Sequence, residues 1–123
     1  QNKPVYPDMM LYQEILFLEG YFKGKWCVEN VISWYEPLIR PYEINNHYFW
    51  ANFRISKIPA FSRCHDEGVE KLQERKGFDL SNYKGIDKIK ALRNCVEPET
   101  GLHILDCARN IIRQKDIKQM QIF

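Results

Sequence analysis

At 123 residues and 14.8 kDa the chain has room for one domain, and its 45% hydrophobic and 14% aromatic content is enough for a core, which excludes a disordered protein. A net charge of +2 and a pI near 8.4, with Lys and Arg dispersed, permit a nucleic-acid partner without arguing for one. No apolar run approaches the ~20 residues of a membrane span and no signal-peptide pattern is present, so no membrane partner is expected.

Pro7-Asp8 opens the first predicted element, with Asp8 as N-cap. Leu11, Ile15, Leu18 and Phe22 recur at the spacing of one helical face, and Tyr12 and Phe17 widen that stripe. Gly24 stands where a C-terminal glycine stops a helix. Trp26 to Asn30 is short and apolar up to its last two residues, and reads as a central strand covered on both faces. Ser33 to Pro41 carries two prolines and reads as a loop or a single helical turn. From His47 to Ile55 two sets of residues alternate, with aromatics in both, which predicts a well-covered strand.

The middle, Ser56 to Gly85, is the least regular. Asp66 to Lys76 reads as a charged, solvated helix and Gly77 to Gly85 as loop. A helix is expected over Ile86 to Leu92. Pro98 suits the first turn of a last helix, whose apolar face would be Leu102, Leu105, Ala108 and Ile112. The order helix, strand, strand, helices is α/β, and too short for a closed doubly wound sheet. That suggests one part of a larger α/β unit, and the start at Gln1 without an initiator Met reads as an expressed fragment, a processed piece or a segment of a longer protein.

The four cysteines, Cys27, Cys64, Cys95 and Cys107, include no C-x-x-C pair. Cys27, Cys95 and Cys107 sit in apolar or helical surroundings and read as free buried thiols. Cys64-His65 offers two ligands where a closed zinc site needs four, so no metal is expected. This usage suits a reduced, cytoplasmic protein.

Chemistry concentrates at Glu29-Asn30, a carboxylate and an amide where a strand ends, which is where open α/β sheets bind ligands. On the residues alone, Glu29 reads first as a strand-end cap or ion-pair partner. Trp34, Tyr35, Tyr48 and Trp50 are core aromatics or stacking platforms for bases. His47, His65 and His103 are core or surface histidines. Asn94 is a helix cap or part of a pocket.

Three blocks extend this. The first runs from Tyr6-Pro7-Asp8-Met9-Met10-Leu11-Tyr12 to Gly24-Lys25-Trp26-Cys27-Val28-Glu29-Asn30-Val31. The second is Asn45-Asn46-His47-Tyr48-Phe49-Trp50-Ala51-Asn52-Phe53, and the third is Lys90-Ala91-Leu92-Arg93-Asn94-Cys95-Val96 with the helix after it. In this order they resemble the C-terminal part of the catalytic domain of DNA cytosine-5 methyltransferases, from the Glu-Asn-Val motif to the last Asn-containing motif. The resemblance covers most of residues 1–123. It implies a partial Rossmann-like sheet with flanking helices, S-adenosylmethionine as methyl donor, double-stranded DNA as partner and a restriction–modification setting.

In that family a cysteine thiolate adds to cytosine C6 and makes C5 nucleophilic. A carboxyl group at N3 relieves the charge that develops there. The base is first swung out of the duplex, at a cost of roughly a few kcal/mol. The resemblance implies that Glu29 takes the N3 position, that Asn30 fixes its loop, and that Asn94 and Cys95 help close the donor pocket. Asn45 and His47 are the implied DNA contacts. The chain departs from the family in three respects. It has no Pro-Cys segment and no upstream glycine-containing donor turn, it carries Asn45, Asn46 and His47 where arginine is usual, and Ser56 to Gly85 is too short for a target-recognition domain. Cys27, two residues before Glu29, should point into packing and is no substitute nucleophile.

Three functions follow: an enzyme part that works with an N-terminal half or subunit, a non-catalytic remnant that touches DNA or a partner, or an assembly element pairing through a sheet edge.

Overall fold

The computed structural model of the protein describes residues 6–58 and 67–113. They fall into two compact units, Gln1–Arg54 and Ile55–Phe123. The Cys64-His65 pair and Asp66, the expected start of the charged helix, lie outside the described residues.

In the first unit, helix α1 (Met10–Tyr21) precedes strands β1 (Cys27–Val31), β2 (Tyr42–Ile44) and β3 (His47–Ala51). Asp8 sits one residue before the N-cap position, and its Oδ1 accepts the Met10 N–H at 3.0 Å. Helix α1 ends at Phe22, before Gly24; the Phe22 ring folds back so that a Cβ at position 24 would lie 3.0 Å from it. Tyr12 and Ile15 of α1 bury against Trp26 and Trp50, with Leu11, Leu18, Val28, Tyr35, Ile39 and Tyr48 around them. Phe17 and Phe22 stay exposed, so the buried stripe is narrower than the sequence implied.

The sheet order is β1-β3-β2 and both pairings are antiparallel. The chain is therefore α/β in composition, with its described strands in one small antiparallel sheet. The expectation of a central, doubly covered strand at Trp26–Asn30 is corrected. β3 takes the centre, because both of its faces carry rings, whereas β1 is an edge whose Cys27, Glu29 and Val31 face outward. β3 stops at Ala51 rather than running to Ile55. The reason is Asn52, whose Oδ1 accepts the Trp26 N–H at 2.9 Å while its Nδ2 donates to the Gly24 carbonyl at 2.7 Å. Asn45 and Asn46, at φ 48° and 64°, form the two-residue turn that joins β2 to β3. Asparagine tolerates this left-handed backbone, and such turns match the strand twist.

The second unit holds α2 (Val69–Lys76), α3 (Lys88–Asn94) and α4 (Pro98–Arg109). Asp87 caps α3 by accepting the Lys90 N–H at 3.1 Å. Helix α2 is solvated on one side only: Glu70, Lys71 and Glu74 are exposed, whereas Leu72 and Lys76 are buried and Arg75 and Lys76 turn to Glu97. Gly77, at φ +79°, closes α2 in the left-handed conformation that glycine takes without strain.

Helix α4 is also rolled away from expectation. Leu102, Leu105 and Ile112 are exposed, and Thr100, Ile104 and Asp106 are buried instead. Polar anchors outweigh the apolar face here. Glu97 is held by the α2 cations, Asp106 binds Arg113, and the His103 Nε2 donates to the Ser56 carbonyl at 2.7 Å. Among the described residues no helix is long and apolar enough to cross a membrane.

Candidate functional site

Glu29 owes its place to the alternation of β1. The register sets Glu29 opposite Phe49 and Val31 opposite His47, so Glu29 and His47 are diagonal neighbours on one face. The His47 Nδ1 lies 3.0 Å from the Glu29 Oε1. The two side chains differ sharply in exposure, 3% for His47 and 37% for Glu29. One carboxyl oxygen thus meets a buried imidazole while the group keeps access to solvent. Phe49, buried beneath, lies with its ring centroid 6.4 Å from that of His47.

Asn30 points to the opposite face, toward its register partner Tyr48. Its Oδ1 accepts the Val31 N–H at 2.9 Å, a local side-chain-to-backbone bond at the strand's end. The segment that follows is clamped from two sides. From α1, the Tyr12 hydroxyl accepts the Leu38 N–H at 3.2 Å and donates to the Tyr35 hydroxyl at 3.4 Å. From β3, the Trp50 Nε1 donates to the Ile39 carbonyl at 2.8 Å. Tyr12 and Tyr35 serve the site by fixing this segment, a role that stripe-and-loop reading gives no hint of. Trp34 remains exposed beside Tyr35.

Cys27 shares the Glu29 face and is exposed, not buried as its apolar neighbours suggested. Its sulfur is nonetheless partly covered: burial first, and the Glu29 carboxylate second, push the thiol up to about 11. A thiolate is therefore scarce at neutral pH, which disqualifies Cys27 as a nucleophile.

Asn45, expected to contact DNA, is the first residue of the β2–β3 turn, and the turn by itself explains an asparagine there. His47, expected to meet a phosphate or base, sits behind Glu29 with its Nδ1 on the carboxyl group. Asn94 and Cys95 belong to the second unit. Asn94 is the last residue of α3 and is exposed. Cys95 is engaged locally: its thiol bonds the Ala91 carbonyl at 3.3 Å, and its own carbonyl accepts from Lys76. The two candidate groups therefore lie in separate units.

A further cluster, His103 with Cys107 3.5 Å away, invites a nucleophile reading. The same Nε2 donates to the Ser56 carbonyl, so it has no lone pair with which to take the thiol's proton. Among the described residues no three of His, Cys, Asp and Glu are grouped to hold a metal ion. Comparison with protein-family models, curated proteins and solved structures finds no match.

Proposed function

We propose that this chain is the C-terminal segment of the catalytic domain of a DNA cytosine-5 methyltransferase, with Glu29 the group that hydrogen-bonds and protonates N3 of the target cytosine. The observation that carries this reading is the half-open carboxyl group of Glu29, backed by a buried hydrogen-bonding partner. A proton donor for a ring nitrogen needs one oxygen held and the other free to meet the ligand. The three blocks of resemblance supply the identity of that ligand. The antiparallel β1-β3-β2 sheet fits the margin of a larger Rossmann-like sheet, with the open edge of β1 as the place where further strands would pair.

Among the described residues the chain offers a proton donor and its supports, and its sequence carries neither the family's Pro-Cys segment nor its glycine-containing donor turn. Asn94 and Cys95 fit S-adenosylmethionine poorly by themselves. One exposed amide and one engaged cysteine do not enclose a ligand of that size. Methyl donor and nucleophile thus fall to an N-terminal half or subunit. A second reading, a non-catalytic remnant that binds DNA or a partner, draws on Asn45-Asn46-His47 replacing the usual arginine.

The coding sequence upstream of Gln1, expressed joined to this chain, tests the proposal. A Pro-Cys segment, a glycine-containing turn and methylation of cytosine C5 in duplex DNA are expected. A joined protein that has the motifs and binds duplex DNA without methylating it favours the remnant.

A further inference from the structure

We propose that His47 is the positioning residue of this site: its Nδ1–H donates to the Glu29 Oε1 and so leaves any proton on that carboxyl group at the other oxygen, Oε2. What Oε2 does with that proton rests on the function proposed above; the placement itself does not.

An ionised carboxylate only accepts, so a 3.0 Å contact to it requires a hydrogen on Nδ1. A neutral imidazole carries one N–H, and its other tautomer would leave Nδ1 bare. That form could meet Oε1 only if Oε1 held the proton, and Oε2 would then have nothing to give. With Nδ1–H in place, Oε1 is occupied as an acceptor and a proton arriving at Glu29 settles on Oε2. His47 is 3% exposed, so water does not compete for this nitrogen as it does at the surface. No buried side-chain nitrogen or oxygen among the described residues lacks a partner.

The step this enables balances. The Oε2–H bond breaks and its proton goes to a ring nitrogen of the ligand. The electron pair stays on the carboxyl group, where the Nδ1–H···Oε1 bond strengthens as it becomes charge-assisted. Residue type matters as well. A permanently charged side chain at position 47 would oppose protonation of Glu29, whereas an imidazole can be neutral while still donating. Cys27, the other titratable group on this face of β1, stays a neutral thiol at pH 7 and does not compete for the role.

The test is spectroscopic and uses the chain itself. Long-range proton–nitrogen correlation on the histidine-labelled chain at pH 7 reports which ring nitrogen of His47 carries hydrogen. Nδ1 protonated is the expected result, whether the ring is neutral or an imidazolium. In Glu29→Ala the population should move several-fold toward the Nε2–H form that free imidazole side chains prefer. A bare Nδ1 in the unaltered chain, or a tautomer indifferent to Glu29→Ala, would overturn the assignment. In the joined protein, His47→Asn keeps a donor near Nδ1 and should retain most of kcat, whereas His47→Leu should lose tenfold or more with KM for DNA little changed. If the tautomer result holds and the joined protein never methylates DNA, the positioning stands and the methyltransferase reading fails.

Discussion

Two glutamates, Glu29 in the first unit and Glu97 in the second, show how environment divides one side chain into different jobs. Glu97 is 6% exposed and meets two cations, Arg75 and Lys76, with Lys76 itself 4% exposed. Arg75 is further committed to Glu67, through its Nε at 3.0 Å and its second terminal nitrogen at 2.8 Å. Glu29, at 37%, has one uncharged-capable partner and an open side. The first carboxylate takes both cations on its Oε1 and knits α2 to the start of α4. The second keeps a coordination position free. A buried carboxylate held by fixed charge can hold a fold together, but its burial keeps a ligand from reaching it.

The largest consequence of that difference falls on Glu97. Removing one partner of a buried ion cluster strands the others, at about 3–5 kcal/mol. Glu97→Ala should destabilise the second unit by that amount, with Lys76 left buried and uncompensated. Trp26, Trp34 and Trp50 all lie in the first unit, so tryptophan fluorescence is the wrong probe. Urea unfolding followed by the amide signals of α2 to α4 reads the change directly. A loss under 1 kcal/mol would mean that water reaches the cluster, and the contrast with Glu29 would collapse.

Glu29→Gln inverts the pattern. The substitution keeps the shape and can still accept from His47, yet it has no proton to give a ring nitrogen. Stability should hold within about 0.5 kcal/mol, as for surface changes away from the core. Single-turnover methylation by the joined protein should fall roughly a hundredfold or more, within the range for losing a general acid, while DNA binding changes little. An unchanged rate would reduce Glu29 to a strand-end ion-pair partner.

The third comparison is on the Glu29 face itself. With its thiol at about 11, Cys27 should alkylate about a hundredfold more slowly at pH 8 than an unperturbed cysteine, because only the thiolate reacts. Its rate should keep climbing past pH 10. Glu29→Gln removes the second of the two causes and should quicken Cys27 only modestly, since burial is the larger. Mass-spectrometric rates of iodoacetamide labelling across pH check both statements, and a plateau near pH 9 would show an ordinary thiol.

Much of this fold was legible because period and punctuation agreed with packing. The apolar rhythm of α1, the alternation in β3 and Pro98 at the start of α4 led to elements where the structure has them. Glu29 stood out as a carboxylate at a strand's end. What stayed hidden depended on register and on polar anchoring. β2 is three residues long behind Pro41, too short to alternate, although Asn45-Asn46 marks its turn. Without β2, nothing in the sequence made β3 central or β1 an edge. The Glu29–His47 contact is a cross-strand diagonal that only the register creates. The roll of α4 is hidden for a different reason: the spacing of its leucines shows in the sequence, whereas the ion pairs of Glu97 and Asp106 that oppose it do not show there as pairs.

The smallest predicted effect returns to the second unit and its habit of pairing carboxylates with cations. Arg113 holds Asp106 from two nitrogens, at 2.5 and 3.0 Å. That bond first, and the positive charges of Arg113, His103 and Arg109 after it, keep the Asp106 carboxyl below its ordinary range against the opposing pull of burial. A carboxyl lowered on folding binds fewer protons in the folded state than in the unfolded one. Its contribution is therefore complete above the unfolded value of about 3.9 and drains away as pH falls through the lower, folded value. Acid should consequently loosen α4 as pH falls through that lower, folded value. Amide exchange followed from pH 6 down to pH 2.5 separates the two units, and Asp106→Asn should flatten the acid limb for α4 while leaving the limb for β1 and β3 unmoved. Equal loss in both units, or an acid limb untouched by Asp106→Asn, would show that the Arg113 pair is a surface contact of no consequence to the fold.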